Sequence, residues 1–266
     1  MTRSCQTVLI IPDVHTQWSR DKNLWWDRRY WKAVHRYMSD SRFDEIVFLG
    51  DFLDMPGLAR FSVGKAKILS ELDLEGDYQV AAELLYKTVD ILRKNNRNAK
   101  VTFLQGNHEQ RVERFAEEVP QFSRLLSVPT QLEFKANDIK WVQCYNKGEL
   151  HRIGPLYFHH GLYCGKHPAT QHVDKFNRDI VFGHTHSVST YTKVLYGTDR
   201  TYTAHNLGCA CLLEQEYMHG RPDNWQQAFG VAWVRPKEKA YNLATVRVTN
   251  HEFVAPNGKL YSGRKT

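Results

Sequence analysis

Five short apolar segments of the chain each end abruptly in polar residues. These segments, rich in Val, Ile, Leu and Phe, span residues 8–11, 46–49, 101–104, 156–158 and 180–182. Apolar runs of this length, bounded by Gly and polar residues, predict strands that are buried on both faces of a sheet. Ligand sites of such sheets lie beyond the carboxyl ends of the strands. The pattern therefore predicts one functional site, assembled from the five loops that follow these segments.

The stretches between and after the apolar segments predict the remaining elements. Helical spacing of apolar residues predicts helices over residues 23–39, 78–94 and 109–119, whereas residues 57–77 are polar and irregular and predict a loop that faces the substrate. After residue 186 the pattern becomes mainly β, with hairpins predicted from residues 190–196 with 201–206 and from residues 228–234 with 240–248. Strand–helix units followed by strands predict an α/β protein, a four-layer α/β/β/α sandwich of two mixed sheets flanked by helices. Because no repeat or linker interrupts the pattern, we expect a single domain over residues 1–266.

An aromatic cluster near the first predicted helix has two interpretations. It consists of Trp18, Trp25, Trp26, Tyr30 and Trp31. Exposed aromatic side chains of this kind stack on nucleic acid bases. Aromatic residues at helical spacing more often pack onto a sheet, and packing in the core is the favoured interpretation.

Composition is that of a globular protein without a membrane segment. The 266 residues are 42% hydrophobic and 24% charged, and no apolar stretch approaches the roughly 20 residues that cross a bilayer. The first residues lead directly into a strand without the apolar segment of a signal peptide, so we expect the protein to stay in the cytoplasm. The five cysteines (Cys5, Cys144, Cys164, Cys209 and Cys211) are predicted to be free, buried thiols in a reducing compartment. Cys209 and Cys211 are too close in sequence for a usual zinc ligand pair.

The charge balance is basic. Lys and Arg total 36 against 29 for Asp and Glu, which gives a formal net charge of +7. A basic surface attracts phosphate-rich partners, nucleic acid among them. Because the charges are scattered along the chain, an ordinary solvated surface and a nucleic-acid groove both remain open.

The residues that follow the five apolar segments are those that hold divalent metals. They are Asp13, His15, Asp51, Asn107, His160, His184 and His186. Mixed oxygen and imidazole ligands suit Mn, Fe or Zn better than Ca, and two such ions about 3.5–4 Å apart can bridge a phosphate. Any one of these residues alone is explained as a cap, a turn residue or a surface residue. Their occurrence together, each directly after a predicted strand, favours a metal site.

The order of the motifs, D-x-H, G-D, G-N-H-E, H-G and G-H-x-H over residues 8–186, resembles the calcineurin-like metallophosphoesterases. The stretches G-D-F-L-D and L-A-R-F within residues 50–61, and residues 106–111, are similar to uncharacterised phosphoesterases of bacteria and their phages. The resemblance implies the same four-layer fold and a site with two divalent metal ions, for which Mn is expected and Fe, Zn and Ni are alternatives. It implies that Asp13, His15 and His186 hold one ion and that Asn107, His160 and His184 hold the other. Asp51 would bridge the two ions, and a shared hydroxide would attack the phosphate.

Two further residues take catalytic roles by the same resemblance. His108 resembles the family's general acid, which protonates the leaving oxygen, and Asp54 stands where the family has the carboxylate that orients this histidine. The alternative for Asp54 is a helix N-cap. His159 neighbours His160 on an extended segment and is expected to point to the opposite face with a structural role.

The chain departs from the family's protein phosphatases at two positions. Met55 and Gln105 stand where those phosphatases carry phosphate-clamping arginines, which argues against hydrolysis of phosphoproteins. Arg60, Arg111 and Lys166 lie near the motifs and are the candidates to replace them, with a solvated charge as the alternative for each.

Three functions follow, in order of preference. The first is a dinuclear metal-dependent phosphoesterase that acts on nucleic acid or nucleotides, as a nuclease or phosphodiesterase on DNA, RNA or nucleotide phosphate esters. The second is a phosphomonoesterase on a small molecule or a phosphoprotein. The third is a catalytically inactive interaction scaffold, which is disfavoured because the chain keeps all seven ligand candidates and His108.

Overall fold

Two sheets packed face to face form the centre of the protein. The computed structural model describes residues 5–20, 26–58, 73–213 and 224–264. Arg60, Trp25 and most of the predicted substrate-facing loop lie outside these residues. The strands are, in chain order, β1 (Gln6–Ile11), β2 (Glu45–Phe48), β3 (Lys100–Leu104), β4 (Ile139–Val142), β5 (His151–Ile153), β6 (Leu156–Phe158), β7 (Ile180–Phe182), β8 (Val188–Val194), β9 (Thr201–Leu207), β10 (Ala228–Arg235), β11 (Ala240–Arg247), β12 (Glu252–Val254) and β13 (Leu260–Ser262).

Helices cover the outer faces of the sheets. They are α1 (Arg28–Asp40), α2 (Leu74–Asn95), α3 (Asn107–Glu118), α4 (Ser123–Leu126), α5 (Val128–Gln131) and α6 (Pro168–Phe176), with 3-10 turns at Pro56–Leu58 and Pro120–Phe122. In the described part of the chain no helix is long and apolar enough to cross a bilayer.

Both large sheets are mixed. The first has the order β11-β10-β1-β2-β3-β4, in which β1 to β4 run parallel and β10 pairs antiparallel with β1. The second has the order β5-β6-β7-β9-β8, with β6, β7 and β9 parallel and antiparallel strands at its two edges. The hairpin β12–β13 stands apart from both. The predicted hairpins after residue 186 are confirmed as β8–β9 and β10–β11.

Three separate apolar cores define four layers. Alternate residues of β1 face different cores: Leu9 and Ile11 pack with the residues under α1 and α2, whereas Val8 and Ile10 pack in the core between the two sheets. A third core joins α6 to the outer face of the second sheet. The layers are therefore helix, sheet, sheet and helix, and the predicted α/β/β/α sandwich is confirmed.

The starts of the first two helices differ from the prediction. Helix α1 begins at Arg28 rather than residue 23, because the Asp27 carboxylate accepts hydrogen bonds from the backbone N–H groups of Arg29 and Tyr30 and fixes the cap there. Helix α2 begins at Leu74, within the segment predicted as a loop, because Asp73 caps its first turn through the N–H of Gly76. A polar cap residue does not change the spacing of the apolar residues, so this spacing alone predicted one start too early and the other too late.

The aromatic cluster and the cysteines can also be placed. Trp26, Tyr30 and Trp31 are buried in the helix-side core, as predicted, and Trp18 packs against that core. None of the five cysteines, all of them in described residues, forms a disulfide. Cys164 is exposed and Cys5 is half-buried, which corrects the prediction that all five are buried. Cys164 lies in the loop between β6 and α6 rather than in an apolar run, and Cys5 precedes β1.

Candidate metal centre

The carboxyl ends of five strands meet at one edge of the two packed sheets. Strands β1, β2 and β3 of one sheet and β6 and β7 of the other each end just before the polar residues that the sequence singles out. The backbone turns sharply there, and five of the seven ligand candidates have left-handed conformations: Asp13 (φ 31°), His15 (φ 50°), Asp51 (φ 48°), His184 (φ 71°) and His186 (φ 57°). Such conformations cost energy in residues other than Gly and occur preferentially at functional sites.

A first group of donors consists of Asp13, His15 and His186. Nε2 of His186 lies 3.1 Å from Nε2 of His15 and 3.3 Å from Oδ1 of Asp13. The Asp13 carboxylate is held in place by the backbone N–H of His184, at 2.9 and 3.0 Å from its two oxygens. One donor atom from each of the three residues lies within 4.8 Å of the others, so a single ion can contact all three.

A second group consists of Asp51, His160 and His184, whose donor atoms also lie within 4.8 Å of one another. Nε2 of His160 is 3.2 Å from Oδ2 of Asp51 and 3.1 Å from Oδ1 of Asn107, which adds the amide to this group. Nδ1 of His160 donates to the carbonyl of Leu49 at 2.9 Å. That bond fixes the ring and leaves Nε2 to face the site, as is usual for metal-ligating histidines.

Asp51 lies between the two groups. Its Oδ2 is 3.2 Å from Nε2 of His160 and 3.8 Å from Nε2 of His15. Gly106, the first residue of G-N-H-E, approaches the Asp51 carboxylate so closely that any side chain at position 106 would overlap it. The loop after β3 can therefore close on Asp51 only with Gly at this position.

Burial and charge in the centre favour cations. Asp13 and Asp51 are buried; burial alone raises the pKa of a carboxyl group, but the nearby imidazoles, His160 first, outweigh it and lower the pKa of both. Both carboxylates are therefore ionised in a dry environment, and ring nitrogens of His15 and His186 face each other at 3.1 Å. Buried charges of one sign need compensation, and the oxygen and imidazole donors fit two divalent ions of the Mn, Fe or Zn type.

His108 and Asp54 form a contact pair at the rim of this centre. Nδ1 of His108 lies 2.7 Å from the carbonyl oxygen of Asp54 and 3.2 Å from its Oδ1. Burial alone lowers the pKa of His108, but the charges of Asp51 and Asp54 outweigh it and raise the pKa to about 9. Nε2 of His108 is left to face Asp51, with 3.8 Å between Nε2 and Oδ2.

Asp54 also contacts a ligand candidate, which the sequence did not indicate. Its Oδ1 lies 3.0 Å from Nδ1 of His15. Burial raises the pKa of Asp54, but hydrogen bonds with His108 and His15 outweigh burial and hold that pKa well below its ordinary value. The carboxylate thus contacts two rings rather than one, because β1 and β2 are neighbours and their loops run side by side.

Glu109 is a buried residue whose role the sequence analysis missed. Its carboxylate accepts hydrogen bonds from the backbone N–H groups of Asp51, Phe52, Leu53 and Gly106, at 2.8 to 3.1 Å. These bonds join the loop after β2 to the loop after β3. The available signal was the spacing of Gly106 and Glu109, which places a carboxylate three residues after a helix N-cap.

Of the three candidates for substrate binding, only Arg111 is seen to contact the residues around the centre in the described part of the chain. Arg111 lies beside the His108–Asp54 pair, with Nη1 3.4 Å from the carbonyl oxygens of Asp54 and Met55. Lys166 is exposed in the loop before α6, and Arg60 lies outside the described residues. Gln105 is buried and turned away from the centre, because its side chain bonds to Glu113 and to the N–H groups of Tyr145 and Asn146.

Two aromatic residues that the sequence did not single out flank the ligand candidates. The half-buried ring of Trp225 lies 4.1 Å from that of His186, centroid to centroid, in an edge-on arrangement. The Tyr145 ring is 5.9 Å from that of His160, and its hydroxyl donates to the carbonyl of Gly161. Both come from loops far from the motifs in the chain, so no local pattern could have indicated them. His159 is buried behind the centre, where Nδ1 accepts from the N–H of Gly161 and the ring contacts Phe176.

Comparisons with known proteins identify the family of the chain. Residues 6–234 match the sequence profile of the family described as calcineurin-like phosphoesterase. The chain is 22% identical over 223 residues to the Gene 54 proteins of Mycobacterium phages D29 and L5, covering 78% of this chain and 84% of each of theirs. A solved structure, Vps29 of Chaetomium thermophilum, is 12% identical with a TM-score of 0.39, over 97% of this chain and all of that one. With a family match across most of its length, the chain belongs to the calcineurin-like phosphoesterases.

Proposed function

We propose that the protein is a dinuclear metal-dependent phosphoesterase that acts on nucleic acid or nucleotides. The observation that carries this proposal is the position of Asp51. One oxygen of a buried carboxylate lies within 4 Å of histidines from both donor groups, 3.2 Å from His160 and 3.8 Å from His15. A carboxylate between two half-sites is what a shared pair of ions requires.

The residues present fit two divalent ions. Asp13, His15 and His186 would hold one, Asn107, His160 and His184 the other, and Asp51 both. Manganese is the proposed metal. Fe, Zn and Ni are the alternatives, because they also accept oxygen and imidazole ligands. Bound ions of this kind supply Lewis-acid polarisation of the phosphate ester and activation of the attacking water.

The chain's own residues supply the proton for the leaving group. His108 would donate it from Nε2, since Nδ1 is engaged by the carbonyl and carboxylate oxygens of Asp54. The two carboxylates beside the ring favour its protonated form, which is the form that a general acid needs. Arg111, next to this pair, is placed to offset charge on the departing group.

Two features support a nucleic acid or nucleotide substrate over a small phosphomonoester. The net charge of +7 favours partners with several phosphates. The partly exposed ring of Trp225, in contact with His186, offers an aromatic surface beside the metal centre on which a base can stack.

Metal content and a hydrolysis panel test the reaction class. Protein saturated with Mn²⁺ and freed of excess ions should contain about two equivalents, and Asp51→Asn should hold fewer, whereas the exposed Asp199→Asn should match the unmodified protein. With Mn²⁺, hydrolysis of a bis-aryl phosphodiester, an aryl monoester, single- and double-stranded DNA and a cyclic dinucleotide should be compared. A fixed stoichiometry of one that Asp51→Asn leaves unchanged contradicts the dinuclear centre, and hydrolysis of none of the substrates would favour an inactive scaffold.

Salt dependence tests the substrate class. If the protein binds single-stranded oligonucleotides through phosphate contacts, the log–log slope of affinity against salt should be about −0.7 per contact. Arg60→Glu should flatten the slope while hydrolysis of the small diester continues, whereas Lys237→Glu in the exposed β10–β11 turn should leave it unchanged. The nucleic-acid part of the proposal fails if no oligonucleotide binds at physiological salt and the aryl monoester is hydrolysed faster than the diester.

A further inference from the structure

Two thiols lie directly behind one of the metal-ligand candidates. Cys209 and Cys211 follow β9 and are fully buried. One donor atom from each of Cys209, Cys211 and His186 lies within 4.8 Å of the others. The short spacing of the two cysteines in the sequence argues against a usual pair of zinc ligands. Only the fold brings a histidine next to them.

The backbone fixes the three residues relative to one another. Gln226 connects two of them: its N–H donates to the carbonyl of His186 at 2.8 Å, and its carbonyl accepts from the N–H of Cys209 at 3.0 Å. The side chain of Gln227 donates to the carbonyl of Cys211 at 2.8 Å. The N–H of Ala210, between the two cysteines, bonds to the carbonyls of Pro12 and Asp13. The pair is therefore held against the loop that carries Asp13 and His15.

One ring nitrogen of His186 is not used by the donor group of Asp13 and His15. Nε2 faces His15 and Asp13, whereas Nδ1 is buried and has no hydrogen-bond partner among the described residues. A buried donor or acceptor without a partner is costly and calls for an explanation. Metal-ligating histidines usually bond through their second nitrogen to a carboxylate, a carbonyl or water, and here the neighbours include two sulfur atoms.

The chemistry of this set differs from that of the dinuclear centre. Thiolates select soft ions such as Cu(I), Zn²⁺ and Cd²⁺, whereas carboxylate and amide oxygens suit harder ones. Two thiolates balance the charge of a divalent ion, so the completed cluster is neutral and tolerates burial.

We propose that Cys209, Cys211 and His186 form a separate binding site for one thiophilic divalent ion, next to the dinuclear centre. Zinc–sulfur and zinc–nitrogen bonds of about 2.3 and 2.0 Å put tetrahedral donors roughly 3.5 Å apart. Because the donor atoms lie within 4.8 Å of one another, they must close by up to about 1.3 Å. Each cysteine binds the ion as a thiolate, and any proton that its sulfur carries passes to solvent. His186 belongs to both donor sets, and a neutral imidazole has only one nitrogen with a free lone pair. An ion that binds the thiols and Nδ1 therefore competes with an ion that binds Asp13, His15 and Nε2.

Cadmium titration followed by ultraviolet absorption tests the site without any measurement of hydrolysis. In a Cys164→Ser background, which removes the exposed thiol, Cd²⁺ should produce a thiolate-to-metal charge-transfer band whose final intensity corresponds to two thiolates on one ion per chain, whatever further Cd²⁺ the dinuclear centre takes up. Cys209→Ser and Cys211→Ser should each abolish or strongly weaken the band, whereas Cys5→Ser should retain it. A band that survives the Cys209→Ser/Cys211→Ser double variant, or no band at all, overturns the proposal.

A second measurement needs no substitution in the core. The ¹¹³Cd NMR signal of the otherwise unmodified Cys164→Ser protein should show a shift typical of two sulfur donors, and a shift typical of oxygen and nitrogen donors alone contradicts the site. These outcomes are independent of the proposed activity. A protein that binds cadmium through sulfur but hydrolyses no phosphate ester would keep this site and lose only the proposed function.

Discussion

At the scale of single residues, the centre depends on side chains that contact more than one partner. Oδ1 of Asp54 lies 3.0 Å from His15 and 3.2 Å from His108, so one carboxylate connects a ligand candidate with the candidate general acid. His108 contacts Asp54 through Nδ1 and faces Asp51 through Nε2. Substitutions at these two positions should therefore separate metal binding from proton donation.

His108→Ala should lower kcat by about 10²–10⁴, the usual contribution of general acid catalysis. The loss should be smaller for aryl esters with good leaving groups, because these depart without a proton. Metal content should stay at the unmodified level, since His108 is not assigned to a metal. His167→Ala, at an exposed position, is the matched control. Loss of both ions from His108→Ala would show that the imidazole is a ligand and that the assigned role is wrong.

Asp54→Asn should affect both properties, because the carboxylate orients His15 as well as His108. Loss of a carboxylate that hydrogen-bonds to a metal-ligating histidine typically lowers metal affinity or activity by about 10–100-fold. We expect Mn²⁺ affinity, measured by competition with a chelating dye, to fall by about that factor, together with kcat. Affinity equal to that of the unmodified protein would restrict Asp54 to the acid.

At the scale of elements, one buried side chain connects two of the loops that form the centre. Glu109 in the first turn of α3 accepts four backbone N–H groups, three from the segment after β2 and one from Gly106. These four hydrogen bonds to Glu109 determine how closely the loop after β3 approaches Asp51. The geometry of the centre is thus decided by a residue that belongs to neither donor group.

Glu109→Ala should reduce the free energy of unfolding by about 2–4 kcal/mol, because four buried N–H groups would lose a charged acceptor. Glu109→Gln should also destabilise the protein, since its amide oxygen can accept from one pair of the N–H groups while its NH2 group faces the other pair. Urea denaturation of the metal-free protein measures both, with the exposed Glu117→Ala on the same helix as the control. Similar stability for Glu109→Ala and Glu117→Ala would mean that the loops close without this side chain.

At the scale of the whole molecule, three apolar cores among the described residues hold the four layers together. Two histidines outside the metal centre are buried or half-buried next to these cores. His35 in α1 is buried and bonds to the Thr88 hydroxyl, while His205 in β9 lies near the Tyr241 hydroxyl. Burial lowers the pKa of each imidazole to about 4, with a contribution from Lys87 at His35. Neither is a ligand candidate, and both concern stability rather than chemistry.

The contribution of His35 and His205 to stability should fall as the pH drops from about 6.5 to 4. In this range the unfolded chain binds protons at His35 and His205 and the folded chain does not, so stability present above pH 6.5 is lost as the pH approaches 4. At pH 5 each histidine contributes a loss of about 1–2 kcal/mol. Urea denaturation at pH 7 and pH 5 should show a smaller difference for His35→Gln than for the unmodified protein, and an unchanged one for His167→Gln. Equal differences for both variants would contradict a buried neutral His35.

The sequence by itself determined the five strands that end at the centre, the two later hairpins and the residues at the strand ends, because each of these is a local pattern. Strands β4, β5, β12 and β13 were not predicted. An apolar run, its bounding Gly and the polar residue after it lie within a few positions, and the parallel strands then bring their ends to one edge. Helix starts at Asp27 and Asp73 were less visible, since a polar cap gives no apolar period.

Only the tertiary structure decided which atoms meet. His15 and His186 are 171 residues apart, and their 3.1 Å contact depends on how two sheets pack. The same packing puts Trp225 and the pair Cys209 and Cys211 around His186, and brings the Glu109 carboxylate to the loop after β2. Distances between side chains from separate layers arise from the shape of the packed cores, to which the whole chain contributes, and no short stretch of sequence contains that information.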